Sequence, residues 1–147
     1  MNTNLSTQEI YTLLTGRLSM TLNRTLLQQF KANNIPLTRE QWSILAVLWK
    51  EDGCSQQTLA TETHRDKPSV TRLLDKMEKD NLIVRKAHEN DRRLNLIYLT
   101  EKGKSYEKDA FRIVNEIELI ATKGLTDFQI QNLKDAVRTI MSNIENR

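Results

Sequence analysis

The chain has 147 residues, of which 38% are hydrophobic, 28% are charged and 5% are aromatic. This length suits one domain with its own core, or a small domain plus an oligomerisation element, and does not favour two independent enzyme domains. The composition argues against a disordered chain, and the net charge of +3 at pH 7 is modest.

The residues also indicate a compartment. The single Cys54 cannot form an internal disulfide, and residues 1–10 have neither the basic start nor the apolar run of a secretory signal. No stretch approaches the roughly 20 apolar residues that a membrane span needs. We therefore expect a cytoplasmic protein without a membrane partner.

Helix starts are marked by capping boxes, in which a Ser or Thr hydroxyl accepts a backbone N–H and a Glu or Gln side chain reaches back. The pairs are Ser6 with Glu9, Thr38 with Gln41, and Thr126 with Gln129. A hydrophobic staple frames each box, the first being Leu5 with Ile10. These pairs predict helices that begin near residues 6, 38 and 126.

The hydrophobic period and the caps predict a mainly α fold (α+β). Six helices are expected, over residues 6–33, 38–53, 55–63, 66–81, 100–123 and from 127 onwards. Gly16 is the weak point of the first helix, and His64 occupies a turn that we do not expect to be tight. Two β-prone runs, 82–85 and 94–99, predict paired strands around a turn at 88–93.

The fourth helix has an apolar stripe on one side and basic or hydroxyl side chains on the other. Val70, Leu73, Leu74 and Met77 follow the i, i+3, i+4, i+7 pattern and predict an inward face. Arg72 then lies outward, near the helix N-terminus, where it can reach base edges in a major groove. Lys76 and Lys79 lie further along, as phosphate contacts or as solvated side chains.

The turn between the two strands carries Asp91, Arg92 and Arg93. Long cations on such a wing can enter a narrow minor groove, whose negative potential favours them. Residues 65–93 hold nine Lys or Arg against six Asp or Glu, so the excess charge of the chain lies here. We expect Asp91 to orient an arginine through a charge-assisted hydrogen bond; the alternative is a residue that only forms the turn.

These motifs resemble those of the MarR family of winged helix-turn-helix transcriptional regulators. The family's wing signature is Asp-x-Arg, three residues, an aliphatic, one residue, then Leu-Thr. Asp91, Arg93, Ile97, Leu99 and Thr100 match it, and Gly103 follows as in the common LTxxG ending. The stretches 70–74 and 81–85 resemble the family's recognition helix and first wing strand, with Asn81 where Gly is common.

The resemblance implies a sequence-specific DNA-binding regulator, a homodimeric repressor at an inverted repeat. It implies one domain over 1–147, with a DNA-binding lobe at 38–100 and dimerisation helices at 5–33 and 101–147. The side chains expected at DNA are Ser55, Gln56, Arg65, Lys67, Ser69, Thr71, Arg72, Lys76, Arg92 and Arg93.

The outer helices carry more apolar surface than a small winged lobe can cover, which favours a dimer over a surface that closes a monomeric core. The residues expected at the dimer interface are Leu5, Ile10, Leu13, Leu14, Ile117, Ile130, Leu133, Val137, Ile140 and Ile144. A two-fold dimer would place its recognition helices about 34–36 Å apart, which is one turn of DNA.

The resemblance also implies control by a small phenolic or anionic effector. Tyr11, Trp42, Trp49 and Tyr98 are candidates for its pocket, although aromatic residues at helical spacing more often belong to the core. Cys54, just before the third helix, is an inert thiol or, if the helix N-terminus lowers its pKa, a redox sensor.

No residue pattern indicates a metal site, a cofactor or catalysis, so we do not expect an enzyme. A winged-helix module that binds protein instead of DNA is the alternative function, and the adjacent arginines of the turn argue against it.

Overall fold

The computed structural model describes residues 7–147. Leu5 and Ser6, and with them the first predicted cap and staple, lie outside the described residues. The chain divides into two compact units, one up to Ile113 and the other Val114–Arg147. Among the described residues, no helix combines the length and apolar character needed to cross a bilayer.

Helices dominate the structure and a small antiparallel sheet joins them, which confirms the predicted fold class. The helices are α1 (Thr7–Thr15), α2 (Arg17–Ala32), α3 (Arg39–Lys50), α4 (Gln56–Glu62), α5 (Lys67–Lys79), α6 (Glu101–Ser105), α7 (Glu107–Thr122) and α8 (Asp127–Glu145). The strands are β1 (Cys54–Ser55), β2 (Ile83–Ala87) and β3 (Asn95–Leu99), in the spatial order β1, β3, β2.

Two predicted helices are each divided in the structure. The first breaks at Gly16, the residue with the greatest backbone freedom in that segment. The fifth breaks at Tyr106, where the carbonyl of Gly103 accepts the indole N–H of Trp49 at 3.1 Å. A tertiary contact from α3 therefore accompanies the second break, which helical periodicity alone does not reveal.

The core of the first unit lies beneath the inner faces of α2, α3, α4, α5 and the sheet. On α5, Val70, Leu74 and Met77 are fully buried, while Leu73 is half-buried. Ile83 and Ile97 bring the base of the ribbon into the same core. The predicted apolar stripe is thus the buried face of α5, and its opposite face is turned to solvent.

The β2–β3 ribbon is fixed at its base by hydrogen bonds between β3 and the loop that follows α3. One carboxylate oxygen of Asp52 accepts the N–H groups of Leu99 and Gly53 at 2.8 and 3.1 Å. Gly53 has a φ of +81° and its amide donates to the carbonyl of Ile97 at 3.0 Å. These contacts align β1 beside β3 and make a two-residue strand that alternation could not predict.

Candidate nucleic-acid interface

The turn between α4 and α5 is tight. His64 adopts a left-handed φ of +51°, and its amide donates to the carbonyl of Thr61 at 3.2 Å. The amide of Arg65 donates to the carbonyl of Ala60 at 3.0 Å, which completes a Schellman motif. The expectation of a loose turn was wrong, because His tolerates this conformation and the pair of hydrogen bonds holds it there.

Helix α5 begins at a well-made cap. The Asp66 carboxylate accepts the backbone N–H of Ser69 at 2.8 Å and its hydroxyl at 2.7 Å. These hydrogen bonds to Ser69 stabilise the charged form and lower the pKa of Asp66, with a smaller contribution from Arg72. Arg72 donates to the Ser69 hydroxyl at 3.4 Å, so the cap and the proposed base-reading side chain belong to one polar chain.

Half of the predicted DNA-contacting side chains are fully turned to solvent. Exposed positions are Lys67, Arg72, Lys76, Arg92 and Arg93, whereas Ser55, Gln56, Arg65, Ser69 and Thr71 are half-buried. The first group lies along the outer side of α5 and at the wing. These long cations are exposed, so they can reach phosphate or base edges, although Lys76 lies 3.5 Å from a carboxylate oxygen of Asp80.

Most of the half-buried members have hydrogen-bond partners within the lobe. Ser55 caps α4 by accepting the amide of Thr58 at 3.1 Å, and the side-chain amide of Gln56 donates to the hydroxyl of Thr71. The Nε of Arg65 is buried and finds no hydrogen-bond partner among the described residues. Gln56 and Thr71 therefore link α4 to α5, a contact that their sequence separation does not indicate.

Asp91 shapes the wing through the backbone. Its Oδ1 accepts the amide of Arg93 at 2.9 Å, and its carbonyl accepts the amide of Leu94 at 3.0 Å. The His88 amide donates to the Leu94 carbonyl at 2.8 Å and closes the base of the tip. The expected bond from Asp91 to an arginine side chain is not what the structure shows: the carboxylate holds the backbone at Arg93, since the turn places that amide nearest.

Arg85 is a functional candidate that the sequence reasoning missed. Its Nη2 lies 2.7 Å from Oδ1 of Asp75 and its Nη1 lies 2.7 Å from Oε2 of Glu78. Nη2 also donates to the carbonyl of Thr71 at 3.4 Å. The signal was present as two carboxylates three residues apart on one helix, followed by a basic residue on the next strand.

The Leu-Thr-x-x-Gly ending of the wing packs against the end of α5. The Thr100 hydroxyl accepts the amide of Gly103 at 3.0 Å and donates to the carbonyl of Asn81 at 2.6 Å. A Cβ on Gly103 would lie 2.2 Å from the carbonyl oxygen of Leu82. The glycine therefore permits a close approach between α6 and the start of β2.

The four aromatic residues proposed for an effector pocket have separate surroundings. Tyr11 is 68% exposed on α1, and Trp42 is half-buried on α3. Trp49 packs on Phe111, with ring centroids 5.7 Å apart, while Tyr98 lies under the ammonium of Lys86 at 5.0 Å. A groove of about 740 Å³ is lined by Leu27, Lys31 and residues 34–40, and by none of the four. Their assignment to an effector pocket stays a prediction.

Cys54 is buried, and its sulfur donates to the carbonyl of Glu51 at 2.8 Å. Burial raises the pKa of the Cys54 thiol, and the nearby carboxylates of Glu51 and Asp52 raise it further. The thiol is thus held protonated at neutral pH, which favours the inert alternative over redox sensing. Residues 7–147 contain no cluster of His, Cys, Asp and Glu that could hold a metal ion.

Exposed apolar side chains occur in both compact units. In the first, Ile10, Leu13 and Leu14 are 45%, 60% and 53% exposed. The second unit buries no residue. On its long α8, Leu133, Val137 and Ile144 are exposed, while Ile130 and Ile140 are half-buried. Ile117, on α7, is also half-buried. Of the predicted interface residues, Leu5 alone lies outside the described residues.

Comparison with known proteins relates this arrangement to a family. The MarR family model matches residues 37–94, which run from the start of α3 through the tip of the wing. Across this winged lobe the chain is similar to the regulators of the MarR family. An organic hydroperoxide resistance transcriptional regulator of Bacillus subtilis (strain 168) is 27% identical over 127 residues, which cover 85% of each chain.

Solved structures of MarR regulators on DNA share the fold. A putative MarR family regulator from Listeria monocytogenes, complexed with a 26-mer DNA, is 25% identical with a TM-score of 0.76, covering 88% of this chain and 85% of that chain. The repressor CouR, from Rhodococcus jostii RHA1, was solved on a 23-mer duplex. It is 26% identical with a TM-score of 0.73, covering 96% of this chain and 98% of that chain. The chain is a DNA-binding transcriptional regulator.

Proposed function

We propose that this regulator is a cytoplasmic, ligand-responsive repressor that binds an inverted-repeat operator as a homodimer. Each winged lobe would read one half-site, with α5 in the major groove and the wing in the minor groove. The observation that carries this proposal is the joint exposure of Arg72 on α5 and of Arg92 and Arg93 on the wing.

The charges of the lobe support the assignment of roles. Arg72 lies in the second turn of α5, where a guanidinium can make two hydrogen bonds to guanine. Lys67 and Lys76 flank it on the exposed side and suit phosphate. Arg92 and Arg93 lie in the turn that the carboxylate of Asp91 closes by accepting the amide of Arg93. Their backbone is therefore set before DNA binds.

The exposed apolar side chains of α1 and α8 support a homodimer. Scattered apolar residues on a surface are ordinary, but a helix of 19 residues with none buried has not been packed by its own chain. An isologous interface would remove Leu133, Val137 and Ile144 from water. The N-terminal Ile10, Leu13 and Leu14 would join them.

Relatives support the repressor and effector parts of the proposal. CouR is described as a transcriptional repressor on DNA and was also solved with p-coumaroyl-CoA. An effector of this chain would be a small phenolic or anionic molecule that lowers the affinity of the dimer for its operator. Differential affinity for the free and the DNA-bound forms is what makes such a ligand a regulator.

Selection of duplexes from a random library tests the proposal. The expected product is an inverted repeat whose half-site centres lie about 10–10.5 bp apart, bound by two chains per duplex. Affinity should fall steeply with added salt, because phosphate contacts release counterions. No enrichment at low salt, or a partner protein captured in place of DNA, would contradict it.

The effector is tested separately on the selected duplex. Phenolic and anionic compounds would be screened for release of the duplex, followed by calorimetry on the free dimer. If a compound lowers the affinity of the protein for DNA by some factor, it must bind the free protein more tightly than the DNA complex by that same factor. A screen in which no compound shifts the affinity would overturn ligand control while leaving DNA binding intact.

A further inference from the structure

The wing of this protein is joined to the recognition helix by a charge cluster as well as by its apolar base. Ile83 and Arg85 share one face of β2, and Ile97 pairs with Arg85 across the ribbon. Ile83 and Ile97 are fully buried, whereas the next residue outward on that face, Ala87, is exposed. Arg85 is therefore the outermost residue of this face that still contacts the body of the lobe.

Arg85 reaches α5 at two successive turns. Its guanidinium spans Asp75 and Glu78, each at 2.7 Å, and its side chain is only 20% exposed. The carbonyl of Thr71, one turn earlier, accepts a third and longer hydrogen bond at 3.4 Å. We call Arg85, Asp75 and Glu78 the wing clamp.

We propose that the wing clamp is a positioning device for DNA recognition, and that Arg85 fixes the wing relative to α5 so that both enter their grooves together. The inference rests on the proposed function, because only a reader with two arms needs their separation fixed. Beyond the clamp, residues 86–95 have no charged anchor to α5 among the contacts that the structure describes. The clamp is thus the outermost charged contact between the wing and α5.

Its geometry distinguishes the clamp from an ordinary surface ion pair. Exposed pairs add little, as the Lys104–Glu101 pair at 3.5 Å with a 95% exposed glutamate illustrates. Arg85 is instead largely covered, and its planar donor set meets two carboxylates at short distance. The clamp also joins a strand to a helix, whereas an i,i+3 pair restrains one helix only.

Removing the negative charges of Asp75 and Glu78 tests the clamp, because the loss of charge and the release of the wing should change the affinity for DNA in opposite directions. In Asp75→Asn with Glu78→Gln, the loss of two negative charges alone would tighten binding of a duplex. Release of the wing would instead reduce what Arg92 and Arg93 contribute. The quantity to measure is the fold loss of affinity on Arg92→Ala with Arg93→Ala, in the wild-type and in the neutralised background.

We expect that fold loss to be at least about threefold smaller in the neutralised background, which is the coupling of a double-mutant cycle. A matched control is Glu62→Gln with Glu101→Gln, which removes the same charge from exposed positions away from the clamp. The control should leave the fold loss unchanged. An equal fold loss in all three backgrounds would overturn the proposal.

Arg85→Lys separates the shape of the guanidinium from its charge. An ammonium keeps the charge but cannot meet both carboxylates with a planar donor set. We therefore expect the fold loss on Arg92→Ala with Arg93→Ala to lie between its values in the wild-type and the neutralised backgrounds. If Arg85→Lys instead shows the same fold loss as wild type, a point charge suffices, which would contradict the two-carboxylate clamp.

Backbone ¹⁵N relaxation of the DNA-free dimer tests the clamp without any duplex. In the neutralised variant we expect the order parameters of residues 86–95 to fall from about 0.85 towards about 0.6, with α3 unchanged as the internal reference. Unchanged values would overturn the clamp. If the wild type binds no duplex at all, the proposed function fails, while this measurement still decides the clamp.

Discussion

Three side chains at the start of α5, Asp66, Ser69 and Arg72, form a polar chain that ends at the surface we propose for DNA. Asp66 accepts two hydrogen bonds from Ser69, whose hydroxyl in turn accepts one from Arg72. The cap therefore fixes both the helix start and the resting position of the arginine. The base-reading role of Arg72 stays a prediction from the sequence, and the hydrogen bond to Ser69 describes its side chain in the free protein.

The cap predicts a pH dependence. The pKa of Asp66 is lowered by its bonds to Ser69, so the stabilisation is fully present above the ordinary value of 3.8 and is lost as pH falls through the folded-state pKa. The difference in unfolding free energy between wild type and Asp66→Ala should be constant near neutral pH and shrink in acid. Urea unfolding from pH 7 to pH 2 measures it, with the uncharged cap of Asp66→Asn as the control.

A second residue-scale prediction concerns Gly103. The Cβ of Gly103→Ala would lie 2.2 Å from the backbone oxygen of Leu82, which cannot move without displacing β2. We expect a loss of roughly 1–3 kcal/mol, as overpacking typically costs. Urea denaturation gives the value, and Gly16→Ala is the control because nothing lies within 4 Å of its added Cβ. An equal change in both variants would contradict the close approach.

A third prediction separates the two properties of Asp91. Asp91→Asn keeps an oxygen that accepts the Arg93 amide and removes a negative charge facing DNA, so it should bind the duplex as tightly as wild type or more tightly. Asp91→Ala loses the acceptor and should bind several times less tightly than Asp91→Asn. Fluorescence anisotropy compares them. Equal binding by Asp91→Asn and Asp91→Ala, both weaker than wild type, would show that the charge itself orients an arginine.

At the scale of elements, three helices end in the same way. Asn34, His64 and Asn81 have φ values of +56°, +51° and +58°, and each follows the last turn of α2, α4 or α5. In each case the next residue's amide donates to a carbonyl five residues earlier, at 2.8 to 3.0 Å. These caps fix the angles at which the helices of the winged lobe follow one another.

The cap at His64 gives an element-scale prediction. His64→Gly removes the strain of a side chain in the left-handed region and should stabilise the lobe by a few tenths of a kcal/mol to about 1 kcal/mol. His64→Val, a β-branched residue, should destabilise it. Thermal unfolding ranks the three proteins. If His64→Val is more stable than wild type, residue 64 does not need to adopt a left-handed φ in this turn.

Sequence reasoning recovered the elements whose signals are local. Thr38 with Gln41 and Thr126 with Gln129 form capping boxes in the structure, as predicted. The wing strands lie within a few residues of the predicted runs. The break at Tyr106 and the clamp at Arg85 were missed, because each depends on a partner from another element, Trp49 in one case and Asp75 with Glu78 in the other.

In the molecule as a whole, the second compact unit has apolar side chains that the described chain leaves open to solvent. None of its residues is buried, although α8 alone presents Leu133, Val137 and Ile144. Sequence periodicity found this stripe because its spacing is regular. It could not find the partner, since a stripe looks the same whether its own chain or a second copy covers it.

The dimer is tested by placing a charge on that stripe. Val137→Asp, at a position 47% exposed in the single chain, should raise the dimer dissociation constant at least about tenfold, because an unpaired carboxylate would be buried in the interface. Ser142→Asp adds the same charge on the opposite side of α8 and serves as the control. Sedimentation measures both. Equal association of the two variants with wild type would contradict the assignment of α8.

If α5 and the wing read DNA together, a variant without their exposed arginines must lose affinity for the duplex. Arg72→Ala with Arg92→Ala and Arg93→Ala should keep its circular dichroism, since all three side chains are exposed. Its affinity for the selected duplex should fall at least about 100-fold, and the slope of log K against log salt should lessen by about 4, since each of the two wings loses two arginines. Wild-type affinity and salt slope in this folded variant would contradict the reading of DNA by α5 and the wing.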